Sequence, residues 1–166
     1  MEEHRIMADP EKFIAALATS AVCGFLAFKA FQQNAAPLAV FFTLVCAVFL
    51  YIMFLYGSTL RVNSEGIRKE FLFIPLKTVS WDDIVEVGVL GTKIFNGGAY
   101  KKKPGRRYIY FSEKELDGDT RFKMALEWPP LNGELFCIFT KDNYHHIEMQ
   151  WGGTIEKYNA GDLYLE

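Results

Sequence analysis

Charge is what the first third of this chain lacks. From Phe13 to Tyr56 the only charged side chain is Lys29, a composition unsuited to a water-facing surface and suited to a bilayer. A surplus of either sign is lacking too. Residues after Tyr56 hold 15 Lys and Arg against 16 Asp and Glu, so no global basic field draws the chain to nucleic acid. Cysteine is scarce. Cys23, Cys46 and Cys137 have no metal-ligand spacing, and the first two fall in apolar stretches, where cysteine packs as a small hydrophobe. A Cys23–Cys46 bridge is geometrically open at matching depth, but a reducing cytoplasm favours free thiols. The opening MEEHRIMADPEK is too acidic for a secretory leader and carries no cleavage pattern, so the first apolar segment is expected to be retained.

What is present is two apolar runs. Leu38–Tyr56 is 19 residues without a charge, close to the ~20 that span ~30 Å of hydrocarbon as helix. Phe13–Phe31 reaches the same length if Lys29 snorkels to the headgroups. The intervening QQNAAP reads as a turn, with Pro37 in the first turn of the second helix. Small residues at every fourth position, Ala16, Ser20 and Gly24, then Ala39, Thr43 and Ala47, would pack the two helices together or serve a homo-oligomer. Arg5 and Lys12 before the hairpin, and Arg61, Arg68, Lys69 and Lys77 after it, oppose Lys29 alone at the turn. Both termini are therefore expected in the cytoplasm of a multi-pass cell-membrane protein.

After Tyr56 the apolar period shortens to that of strands. Ser58–Asn63 and Ile67–Phe73, joined by Ser64-Glu65-Gly66, read as a β-hairpin. Ile74-Pro75-Leu76 is expected to break it, because proline removes a ladder donor. Thr78–Trp81, Ile84–Leu90 and Tyr108–Phe111 read as further strands, and the glycine-rich residues 91–107 as a long connection. Ser112 and Glu115 match a capping box for a helix over Glu113–Trp128. Leu135–Thr140 reads as the last strand, and Asp142–Trp151 as a closing helix with Tyr144, Ile147 and Trp151 inward.

Gly66, Ile67, Trp81, Asp83 and Ile84, set between short strands directly behind two membrane helices, carry a resemblance. The chain resembles bacterial membrane proteins with pleckstrin-homology-like domains, over roughly residues 58–158. That resemblance implies an α+β membrane protein: a helical hairpin at 13–56 (about 13–31 and 38–56), then an antiparallel β sandwich or barrel closed by a C-terminal helix. Residues 1–12 are left as a cytoplasmic segment and 159–166 as a tail. The stretch Glu113–Pro130 departs from the pattern as an insertion.

Five cations, Lys101, Lys102, Lys103, Arg106 and Arg107, crowd one glycine-rich loop. Two readings fit: anionic lipid headgroups, at up to ~1 kcal/mol per cation, or a solvated loop kept soluble by its charge. Asp82 and Asp83 read as a capped, solvated turn rather than a carboxylate pair. His145, His146 and Glu148 lack a third zinc ligand at a recognisable spacing. Trp81, Trp128 and Trp151 read as packing residues. No cofactor or catalytic signature stands in the sequence. The leading expectation is a non-catalytic, membrane-anchored module that binds a protein or peptide. An anionic-lipid or envelope-state sensor is the alternative, and a small membrane enzyme or transporter accessory subunit is third.

Overall fold

The computed structural model describes residues 4–92, 106–126, 131 and 134–159. It divides into two compact units, one of Met7–Ser58 and one of Met1–Ile6 with Thr59–Glu166.

The first unit is a helical hairpin, α1 (Pro10–Gln32) and α2 (Ala36–Tyr56). Asp9 caps α1, its carboxylate accepting from the Lys12 N–H at 3.2 Å, and Pro10 fills the first turn, where no amide donor is needed. Both helices are long and apolar enough to cross a bilayer, and none of the most apolar window of α2 is buried. Phe25, Phe28, Phe41, Leu44 and Val48 lie exposed, more apolar surface than a water-facing hairpin tolerates.

The inner faces repeat every three and four residues. Phe13, Ala16, Ser20, Cys23, Ala27 and Ala30 are covered on α1, against Ala39, Phe42, Cys46, Phe49, Met53 and Tyr56 on α2. The 3.5 period lays one continuous seam along each helix, with mostly small residues on α1 and several large ones on α2. The expected small face of α2 is thus corrected. Ala39 faces in, but Thr43 and Ala47 are exposed, and the Thr43 hydroxyl donates back to Ala39 O. Cys46 Sγ donates to Ser20 O at 3.4 Å, and all three cysteines are free thiols. The open end of the hairpin is clamped by Ala8 N–H to Ser58 O (2.9 Å) and Asp9 N–H to Tyr56 O (3.1 Å).

The second unit holds two four-stranded sheets. The first runs β1 (His4–Met7), β2 (Thr59–Val62), β3 (Gly66–Phe71), β4 (Ile74–Ser80) in that spatial order. The other runs β7 (Leu135–Ile138), β6 (Arg107–Ser112), β5 (Glu86–Gly91), β8 (Glu156–Asn159). One hydrophobic cluster draws Leu60, Ile67 and Val79 from the first sheet, Val87, Ile109 and Cys137 from the second, and Ile147 from α4 (Lys141–Trp151). Thr140 caps α4 through the Asn143 N–H (3.1 Å), and Gly152 ends it at φ 67°.

Several expectations change. Pro75 does not break the ladder: β4 contains it, at the end of the sheet's strand order, where a missing N–H is tolerated. The turn before it is Leu72-Phe73, with φ 46° and 70°, a backbone that costs bulky residues about 1 kcal/mol or more each. Leu135–Ile138 is not the last strand, because β8 follows and pairs parallel with β5. The residues before the hairpin contribute β1. Glu113–Trp128 narrows to α3 (Gly118–Leu126), capped by Asp117 through the Thr120 N–H (2.7 Å) rather than by Ser112.

α3 explains the insertion. Alternation on β5 and β6 sends Val87, Val89, Ile109 and Phe111 to the main cluster and Leu90, Tyr108 and Tyr110 to the opposite face, yet these last are also fully buried. α3 lies against β5 and, with its flanks, supplies buried Leu116, Met124, Ala125 and Leu131. A sheet apolar on both faces needs that second cover.

A Cβ on Gly66 would collide with the Val79 carbonyl and Ser80 Cα across the β3–β4 ladder. Gly66→Ala is expected to destabilise this unit by about 1–3 kcal/mol, measured by denaturant unfolding of the detergent-solubilised chain; a loss below about 0.5 kcal/mol would contradict the close approach.

Candidate binding groove beside the outer strand

Glu86 opens β5 on the face that α3 covers. Its carboxylate accepts from Arg121 Nε (3.0 Å) and Nη2 (2.9 Å), from the Leu116 N–H (3.0 Å) and from the Tyr110 hydroxyl. Gly88 stands opposite Tyr110 in the ladder, and a Cβ there would strike the phenol ring, so glycine is what lets that ring lie across β5 toward Glu86. The Arg121 guanidinium also stacks 4.2 Å from the Tyr158 ring centroid on β8.

These contacts fix protonation. Burial by itself would raise the Glu86 carboxyl, but the bonds from Arg121, Tyr110 and the Leu116 amide outweigh it and hold the group below its ordinary value of 4.5. Burial, then the Glu86 carboxylate, pushes the Tyr110 phenol up. Arg121, which burial would discharge, is held charged by Glu86. Every partner is thus locked in one state at neutral pH, and the cluster holds protons rather than exchanging them. Its work is to pin α3 to the sheet.

Above the pin lies an open groove of ≈ 270 Å³, lined by Val85 before β5, Glu86 and Val87 of β5, Glu115, Arg121 of α3, Thr154, and Glu156 and Tyr158 of β8. With Glu86 and Arg121 neutralising each other, Glu115 and Glu156 leave it acidic. Among the described residues β8 is the outermost strand of its sheet.

The residues singled out from sequence fall elsewhere. Lys101, Lys102 and Lys103 lie outside the described residues, as does Trp128. Arg106 and Arg107 lead into β6, and the Arg106 carbonyl accepts from Thr92 N–H (2.8 Å) and hydroxyl (2.9 Å), closing the base of the loop. Of the motif residues Gly66, Ile67, Trp81, Asp83 and Ile84, Gly66 makes the close ladder approach, Ile67 and Ile84 are core, and Trp81 Nε1 donates to Asn63 O at 2.8 Å while its ring meets Phe111 and Trp151. Asp82 and Asp83 sit exposed on a 3-10 turn capped by Ser80, so neither aspartate is the cap. Asp83, His145, His146 and Glu148 form no metal-holding group among the described residues. Among the described residues His145 meets the exposed Glu148 carboxylate, at 3.7 Å.

Sequence reasoning missed Glu86, Tyr110 and Arg121. A signal existed: Glu86 and Gly88 interrupt an otherwise apolar strand at period two, setting a lone carboxylate and a gap on one face. Its distant partner Arg121 had no local signature. A buried second carboxylate, Glu70, takes Arg61 Nε (2.6 Å) and Arg68 Nε (2.9 Å) and was equally unforeseen.

Arg121→Met strands a carboxylate and is expected to cost about 2 kcal/mol of stability, with Glu86→Gln/Arg121→Met costing less than the two single changes combined. The pH dependence follows. Because the Glu86 pKa is lowered in the folded chain, its contribution is complete above 4.5 and fades as acid takes the pH down through the folded value. Thermal unfolding of wild type and Glu86→Gln between pH 7 and pH 3 checks this; equal acid sensitivity would refute it.

No family model, curated protein or solved structure matches the chain.

Proposed function

We propose that this chain is a membrane-anchored, non-catalytic interaction module whose helical hairpin crosses a bilayer with both termini cytoplasmic and whose β unit, of pleckstrin-homology-like type, binds an extended protein segment. The groove beside β8 carries this reading. A peptide added outside β8 would gain main-chain hydrogen bonds from the strand, while a side chain entered the groove. The lining of Glu115 and Glu156 selects a lysine or arginine there.

Support for the pleckstrin-homology-like type comes from the two sheets sharing one core and from α4 covering it with Ile147, Tyr144 and Trp151. β1, α3 and β8 are additions to that scheme. The two long helices and their exposed apolar surface support the anchor, and the distribution of lysine and arginine supports the orientation.

A photo-crosslinking amino acid at Thr154 in cells is expected to trap a discrete protein product, absent from the same probe at the exposed Glu148 on α4. Glu156→Lys should weaken that product several-fold by reversing a charge at the groove. No product at Thr154, or equal products at both positions, would sink the reading. Reporter fusions to each terminus should both report the cytoplasm; a translocated terminus would reverse the orientation.

A further inference from the structure

The β3–β4 hairpin ends in apolar side chains that none of the described residues covers. Leu72 is 71%, Phe73 77%, Ile74 63% and Leu76 43% exposed. Phe71 and Ile74 are ladder partners, so Leu72 and Phe73 alone form the turn, both at positive φ. That mirror-image turn is the natural seat of Asn-Gly. Two large hydrophobes there oppose both solubility and backbone preference, and strain kept at an exposed position points to a use. The rest of the unit behaves otherwise: among its described residues only Val85, Leu126 and Met149 are large, apolar and exposed.

Behind the tip stands positive charge. Lys69 and Lys77 face each other as ladder partners, an arrangement that repels. Burial, then Lys77, lowers the Lys69 pKa, and Lys77 reaches Glu113 for relief. The Lys69 ammonium lies 5.8 Å from the Phe136 ring centroid, whereas the half-exposed Arg68 points to the other face of β3 and pairs with Glu70. An anion placed at this pair would relieve the repulsion. Apolar tip ahead and cations behind match the order of acyl chains and anionic headgroups at a bilayer surface. The covalent chain keeps the unit within reach of one: only Gly57 and Ser58 separate α2 from β2, a span of about 7 Å.

We propose that Leu72, Phe73 and Ile74 form a wedge that enters the acyl region of the bilayer carrying the hairpin, with Lys69 and Lys77 against anionic phosphates. The wedge rests on the reading that α1 and α2 cross a membrane. It fixes how the β unit meets lipid, and it is separate from the loop of Lys101–Arg107.

The test uses the full chain in vesicles of phosphatidylcholine with or without phosphatidylserine, both doped with a photoactivatable phospholipid, and maps adducts by mass spectrometry. Wild type is expected to carry adducts on the hairpin helices and on Leu72–Leu76, the latter increasing with phosphatidylserine. Leu72→Asn/Phe73→Gly installs the turn the backbone prefers, so the fold should gain thermal stability while tip adducts fall about tenfold or more, two large apolar side chains having been lost. Lys69→Gln/Lys77→Gln should abolish the dependence on phosphatidylserine. Labelled helices with an unlabelled tip overturn the wedge alone. Unlabelled helices overturn the membrane anchor as well. Protein–protein adducts at the tip in place of lipid adducts overturn the wedge in favour of a second copy.

Discussion

The adjacency of β1 and β2 constrains everything else. Neighbouring strands lie about 4.8 Å apart, yet the 51 residues between Met7 and Thr59 are folded as a separate helical unit. Such an insertion is compatible with a sheet only if its ends return to nearly the same point. Two antiparallel helices of similar length do this, and the clamp of Ala8 to Ser58 and Asp9 to Tyr56 closes the circuit. The 3.5-residue seam is then a requirement as much as a source of stability, since splayed helices would carry their outer ends apart. Small side chains on α1 and Phe42, Phe49 and Met53 among the covered residues of α2 meet it mainly by packing, with the Cys46 thiol to Ser20 carbonyl contact as an addition.

The second sheet solves a different problem. β5 and β6 are apolar on both faces, which suits a strand covered twice and would leave an aggregation-prone face in a two-layer unit. α3 provides the cover. Its helical propensity is modest, with Gly118 at its start and Thr120 in its first turn, so its place depends on tertiary contacts rather than on its own stability. The Glu86–Arg121 pair is well suited to that task because a bidentate guanidinium–carboxylate contact fixes orientation as well as distance. The groove above it follows from that geometry: Arg121 of α3 reaches Tyr158 on β8, and Glu156 and Glu115 stand beside the open space between them.

What could be read from sequence divides along physical lines. The hairpin was legible because nineteen consecutive uncharged residues admit few alternatives. β2, β3 and β6 and the closing helix were legible because period and capping residues agree locally. β1 (HRIM) and β8 (EKYN) were not, since four residues are too few to display a period and their pairing is decided by distant partners. Pro75 misled because the rule against proline in strands holds for interior strands, and position within a sheet is not written locally. The capping box at Ser112 failed for a similar reason: Ser112 is buried on β6, and the chain turns into helix only after Asp117. The basic loop, most conspicuous in the sequence, lies largely outside the described residues, whereas the groove was assembled from side chains as distant in sequence as Val85 and Tyr158.

The two ends of the unit's sheets are built differently, and the two binding proposals rest on that difference. β4 ends its sheet with a proline, two opposed lysines on its ladder and a register shift after Lys69, the features that deter a further strand from pairing. A partner there has to be something other than a strand, and the apolar turn suits a fluid phase that makes no demand on register. β8 carries neither proline nor bulge, alternates Glu156 and Tyr158 toward the groove, and is held in parallel register by β5. An extended chain added beyond it would meet a regular ladder with one acidic pocket to read a side chain. The lipid proposed at the β3–β4 turn and the peptide proposed at β8 therefore call for different edges of the unit, and neither proposal requires the other to fail.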